Sequence, residues 1–76
     1  MKEKLNYITN NIKSCRARAG YSQEQVADLL NISRATYCDY ETNPKKVKVG
    51  TLQEIADVLN CNLTDFFMEI KVTNSD

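Results

Sequence analysis

The sequence predicts an all-α fold of five short helices in one domain. Two observations carry this. Apolar residues recur at three- and four-residue spacing in successive short segments, the signature of helices with one buried face. Several of those segments are closed by a hydroxyl or amide residue in front and by glycine or asparagine behind, so helix and turn alternate along the chain.

The first helix is predicted from about Tyr7 to Ala19, where Ile8, Ile12, Cys15 and Ala19 form a single buried stripe. Gly20 ends it in the usual position past a helix. The second, Gln23 to Leu30, opens behind Ser22, whose hydroxyl can accept from an orphan N–H of the first turn. Glu24 in that turn suits the helix dipole, and Val26 and Leu30 share a face with Ala27 beside them. Asn31, which tolerates a left-handed conformation, reverses the chain, and Ile32 plugs the turn. Ser33 caps a third helix to about Glu41, with Tyr37 and Tyr40 facing inward and Arg34, Ala35, Cys38 and Asp39 facing elsewhere. Two helices joined by so tight a turn make a helix-turn-helix at about 23–42.

Asn43-Pro44 is a turn signal, and Lys45, Lys46 and Lys48 then alternate with Val47 and Val49, so one side can anchor while the other meets water. A fourth helix, about Thr51 to Leu59, sets Leu52, Ile55, Ala56 and Leu59 on one face. A short fifth, about Leu63 to Met68 behind Asn62, presents Leu63, Phe66 and Phe67. Ile70 and Val72 alternate with polar neighbours like a strand, and Asn74 to Asp76 is expected to fray.

Composition excludes several classes. At 76 residues and 42% hydrophobic content the chain suits one small globular domain and is too apolar for a disordered one. No apolar run spans a membrane, and MKEKLNYITNN lacks the apolar segment of a signal peptide, so a cytoplasmic location is expected. Cys15, Cys38 and Cys61 are widely spaced and histidine is absent, a poor set for a metal; no metal and no cofactor are expected. An enzyme is not expected either: there is no cysteine–base arrangement and no phosphate-binding glycine loop. Net charge is zero, yet residues 1–48 carry nine Lys/Arg against five Asp/Glu and residues 49–76 one against five. Positive potential therefore gathers on the side of the helix-turn-helix.

Arg16, Gly20, Ser22-Gln23-Glu24, Val26-Ala27, Leu30, Ile32-Ser33-Arg34, Thr36, Glu41, Leu52, Ile55-Ala56, Leu59, Leu63 and Phe67 stand in one register. In that register the chain resembles the phage-repressor and Cro-type helix-turn-helix proteins, the xenobiotic-response-element (XRE) family, over about Ile8 to Phe67. It departs from the family at Asn31 and Asn60, where glycine is usual, at Thr42-Asn43, which replaces an Asn-Gly, and at Tyr37, usually aliphatic. The resemblance implies a five-helix lambda-repressor-like domain that binds double-stranded DNA as a small transcriptional regulator. It implies that the third helix enters the major groove by its N-terminal end. Arg34 there can pair with O6 and N7 of guanine, and Ala35 can touch a thymine methyl; Asp39 either accepts from a cytosine amino group or is a charge at the rim. The expected backbone contacts are Gln23, Ser33, Thr36, Tyr37, Lys45, Lys46 and Lys48, with core packing the first role of Tyr37 and packing the main role of Thr36. The family pairs Arg16 with Glu41, an ion pair that would fix how the third helix is presented.

One recognition helix makes too few base contacts for genomic specificity, so a dimeric repressor on a two-fold operator is expected. Phe66, Phe67, Met68, Ile70 and Val72 form an apolar cluster suited to a homodimer interface. Residues 1–76 read as a single domain, with a core at about 8–67 and residues 68–76 as a dimerisation segment or frayed tail. The competing reading is an interaction module, an antitoxin or anti-repressor, that offers the same cluster to a protein partner.

Overall fold

The computed structural model describes residues 3–68. They form α1 (Glu3–Ala19), α2 (Gln23–Leu30), α3 (Arg34–Thr42), a 3-10 turn (Pro44–Lys46), α4 (Val49–Leu59) and α5 (Leu63–Phe66), with no strand among the described residues. Ile70, Val72 and the expected frayed end lie outside them.

Three boundaries differ from the sequence reading. α1 starts at Glu3, ahead of Tyr7, because Glu3, Lys4 and Leu5 are good helix formers and the helix propagates beyond its apolar stripe. α4 starts at Val49, since Lys48 is the extended residue in front of it and the Lys48 carbonyl accepts from Leu52 N–H. α5 ends at Phe66 instead of Met68. The Phe67 N–H bonds back to Thr64, a tighter i→i+3 closure, and the buried Asn11 amide donates to the carbonyls of Phe66 (3.0 Å) and Met68 (2.9 Å).

The helix ends explain why the chain turns where it does. α2 has a full capping box: Ser22 Oγ accepts from Gln25 N–H, and the Gln25 side chain accepts from Ser22 N–H. Past the helices, Gly20 (φ 83°), Asn31 (φ 62°) and Asn60 (φ 60°) take the left-handed conformation that lets their N–H groups reach back to the last carbonyls. Asn31 and Asn60 thus do the work expected of glycine. Asn43 does not: its φ of −124° lies outside the left-handed region, because α3 runs on through Thr42 straight into the 3-10 turn.

The core joins Ile8, Ile12 and Cys15 of α1, Val26 and Ala27 of α2, Tyr37 of α3, the four apolar positions of α4 and Phe66 of α5. Phe66 is 0% exposed, which removes it from the expected dimer surface. A four-residue helix has little stability of its own, and burying this ring, which contributes about 1.5–3 kcal/mol, is what holds α5 in place. α2 packs on both α3 and α4, and α1 lies across α3, α4 and α5. α3 is therefore held from behind on two sides, and its other face is free.

Candidate nucleic-acid interface

The free face of α3 begins at its cap. Ser33 Oγ accepts from Thr36 N–H and donates to Thr36 Oγ1 at 2.8 Å, so these two hydroxyls, expected at phosphate, are engaged with one another on an exposed turn. Thr36 is solvent-exposed and not packed. Arg34 and Ala35, in the first turn, are exposed, as is Asp39 one turn on. Asp39 Oδ1 accepts from the Asn43 amide at 2.8 Å, which ties it to the helix end.

Behind that face lies a buried carboxylate. Glu41 is 0% exposed, and Arg16 reaches it from α1 with Nε on Oε2 at 2.6 Å and Nη2 on Oε1 at 3.4 Å. Arg16 Nη1 donates onward to the Tyr21 carbonyl, so one guanidinium ties α1, the α1–α2 turn and α3 together. Two further donors, neither assigned to Glu41 from the sequence, complete the cage. Tyr37 OH donates to Oε2 at 2.6 Å, and Gln23 Nε2 donates to Oε1 at 3.1 Å. Thr9 adds a bond to the Glu41 carbonyl at 2.8 Å.

The electrostatics follow from those contacts. Burial alone pushes the Glu41 carboxyl up, but the hydrogen bonds of Arg16, Tyr37 and Gln23 and the Arg16 charge outweigh it and hold the group below the usual carboxylate range. Burial, then the bond to the Glu41 carboxylate, pushes the Tyr37 phenol up, so it stays a donor at any physiological pH. The Glu41 hydrogen bond, against a smaller opposing effect of burial, raises Arg16.

Two expected backbone contacts are corrected by this geometry. The Tyr37 residue is 0% exposed and its hydroxyl is spent on Glu41, so it cannot reach a phosphate. The Gln23 side chain is half-buried between Glu41 and Cys38, whose thiol donates to Gln23 Oε1 at 3.2 Å, and is drawn inward. What α2 leaves outward are the N–H groups of Gln23 and Glu24, which precede the first helical hydrogen bond. A hollow of about 300 Å³ at this end of α2 is lined by Arg16, Ser22, Gln23, Glu24 and Arg34. A signal for the cage was present in the sequence. Tyr37 and Glu41 are four apart on one helix, so their side chains lie on the same face.

Lys45, Lys46 and Lys48 are exposed after α3, with Val47 half-buried as their anchor. Val49, expected to help anchor them, is 65% exposed at the start of α4. Phe67 and Met68, 43% and 56% exposed, lie beyond α5.

A model of the helix-turn-helix family matches residues 12–66. The chain belongs to the XRE-type helix-turn-helix family. Among its relatives is the SPbeta prophage-derived uncharacterized HTH-type transcriptional regulator YonR of Bacillus subtilis (strain 168), 36% identical over 76% of this chain and 53% of the relative. The uncharacterized HTH-type transcriptional regulator YqaE of the same organism is 33% identical over 74% of this chain and 48% of its own length. RC0668 of Rickettsia conorii (strain ATCC VR-613 / Malish 7), also named an uncharacterized HTH-type transcriptional regulator, is 29% identical over 91% and 55%. The chain thus spans about half the length of these relatives. No solved structure matches it significantly. The matched residues run from α1 to the last residue of α5, so helix-turn-helix, Glu41 cage and most of the core belong to one family unit. No described helix is long and apolar enough to cross a membrane.

Proposed function

We propose that this chain binds double-stranded DNA sequence-specifically as a transcriptional regulator, a dimeric repressor acting on a two-fold operator. One observation carries the reading: α3 is fastened from behind through Glu41 while Arg34, Ala35 and Asp39 are exposed in front. A helix held rigidly by its back with a polar front is what groove reading requires. Arg34 reads a guanine, and Ala35 makes room for a thymine methyl beside it. Asp39, with one oxygen held by Asn43, sits deeper along α3 and favours a cytosine amino group. The N–H groups opening α2 and the Ser33–Thr36 cap receive phosphate, as do Lys45, Lys46 and Lys48 on the far flank. The two groups bracket the reading turn of α3.

Dimerisation supplies the second half-site, at a spacing of about 34–36 Å. With Phe66 assigned to the core, the described part of the self-association surface reduces to Phe67 and Met68. Both follow directly from α5, whose position α1 fixes through Asn11.

Selection of bound duplexes from random DNA tests the reading. Enriched sequences carrying two inverted half-sites one helical turn apart support it; no enrichment at low salt overturns it. Arg34→Ala relaxes base preference at one position per half-site, whereas Lys46→Ala weakens all duplexes alike and lowers the salt slope by about one. Identical behaviour of the two substitutions contradicts the division of roles.

A further inference from the structure

The side of the molecule formed by α1 and the α4–α5 turn contains a chemical group that DNA binding does not use. A cavity of about 340 Å³ opens there, and Cys15 and Cys61 share its wall with Arg18. Both cysteines are free thiols. Cys15 is 3% exposed at the centre of α1's buried stripe, and Cys61 is half-buried against that same core. The left-handed cap at Asn60 sets Cys61 there, and Cys61 N–H is fastened to the Ala56 carbonyl at 3.0 Å.

The two sulfurs differ in their surroundings. Arg18 Nη2 lies 3.9 Å from Cys15 Sγ and donates toward it, so a guanidinium faces the sulfur that reacts first. Burial, then the adjoining Cys15 sulfur, pushes the Cys61 thiol up to about 12, with Asp65 adding to the rise and Arg18 opposing it. Cys61 therefore keeps its proton at neutral pH. The third thiol, Cys38, is engaged with Gln23 on the other side of the fold.

We propose that Cys15 and Cys61 are an oxidisable thiol pair, converted by hydrogen peroxide entering this cavity into an intramolecular disulfide that joins α1 to the α4–α5 turn. The Cys15 thiolate attacks one peroxide oxygen, the O–O bond breaks, and hydroxide leaves and takes up the proton the thiol had given to solvent. Cys15 is then a sulfenic acid. Cys61 sulfur attacks the Cys15 sulfur, the S–S bond forms, the S–O bond breaks, and the hydroxyl departs with the Cys61 proton as water. Two thiols are oxidised by two electrons, one peroxide is reduced, and two waters are released. The disulfide closes a long loop and fixes the α4–α5 turn, one short helix ahead of Phe67 and Met68.

Intact-mass measurement tests this on the Cys38→Ser chain, where only the pair remains. Peroxide is expected to remove two hydrogens from the monomer, dithiothreitol to restore them, and peptide mapping to find Cys15 linked to Cys61. The oxidised monomer melts higher than the reduced one. Arg18→Gln, at an exposed position, slows the conversion several-fold without preventing it. Accumulation of added oxygen on either cysteine without a cross-link overturns the proposal, and so does a linkage formed only between chains.

Discussion

Replacing Tyr37 by phenylalanine removes one oxygen from the cage and leaves the ring that fills the core. The lost interaction is the 2.6 Å bond from the phenol to Glu41 Oε2. A hydrogen bond to a charged group contributes about 1.5–3 kcal/mol. Arg16 Nε still holds the same oxygen at 2.6 Å, so the carboxylate is not orphaned and the lower part of that range applies, about 2 kcal/mol. In a domain of this size that lowers the melting midpoint by about 10 °C. Circular dichroism melts and urea titration read it, with the urea m-value unchanged because the surface exposed on unfolding is the same. The loss also has a pH signature. The folded Glu41 carboxyl lies below its ordinary 4.5, so its stabilisation is complete above 4.5 and disappears as pH falls through the lowered folded value. Removing one donor raises that folded value, so the deficit of the variant is greatest near neutral pH and shrinks in acid. On the alkaline side, Tyr37 is raised above its ordinary 10.0, so its contribution is complete below 10.0 and lost as pH climbs through the folded value. Phenylalanine has no such alkaline limb. A midpoint within about a degree of the parent at neutral pH refutes the cage as the device that fastens α3.

Other substitutions separate the parts. Asn31→Ala forces a Cβ residue lacking a local polar group into φ 62° and is expected to cost about 1–2 kcal/mol, whereas Asn31→Gly leaves the melting midpoint at or above the parent's. Ser22→Ala breaks the capping box of α2 and costs about 1 kcal/mol in chemical denaturation. Phe66→Ala costs about 3–5 kcal/mol and unfolds much of the population, because the ring is wholly buried. Phe67→Asp leaves the melt of the monomer nearly unchanged and lowers the apparent mass in sedimentation at high micromolar concentration. If the parent chain already sediments as a monomer, on DNA as well as free, the dimer reading fails.

The legibility of this chain varied with the range of the interactions. Helix existence, the helix-turn-helix and the left-handed caps at Asn31 and Asn60 depend on neighbours within a turn or two, and spacing plus side-chain type suffices to read them. The start of α4 and the end of α5 differ from the sequence reading because backbone or long-range contacts decide them: Lys48 caps α4 with its carbonyl, and Asn11 reaches from α1 to the carbonyls of Phe66 and Met68. Phe66 and Phe67 are adjacent and chemically identical, and only the direction in which α5 lies over α1 tells which is core.

The Glu41 cage marks the same boundary more sharply. The Arg16 partner was legible from family resemblance, yet a buried carboxylate with a single cation is an unstable proposition, since desolvation of the pair can cancel its attraction unless the remaining lone pairs are also satisfied. That requirement alone calls for further donors near Glu41. Tyr37, four residues earlier on the same helix, meets it with a hydroxyl at a position where the family usually carries an aliphatic side chain. Gln23 meets it from the neighbouring helix, and in doing so gives up its expected place at a phosphate. The departure at Tyr37 and the reassignment of Gln23 therefore have one cause: the carboxylate that fastens the reading helix takes its donors from the residues nearest to it, and only those beyond its reach remain for DNA.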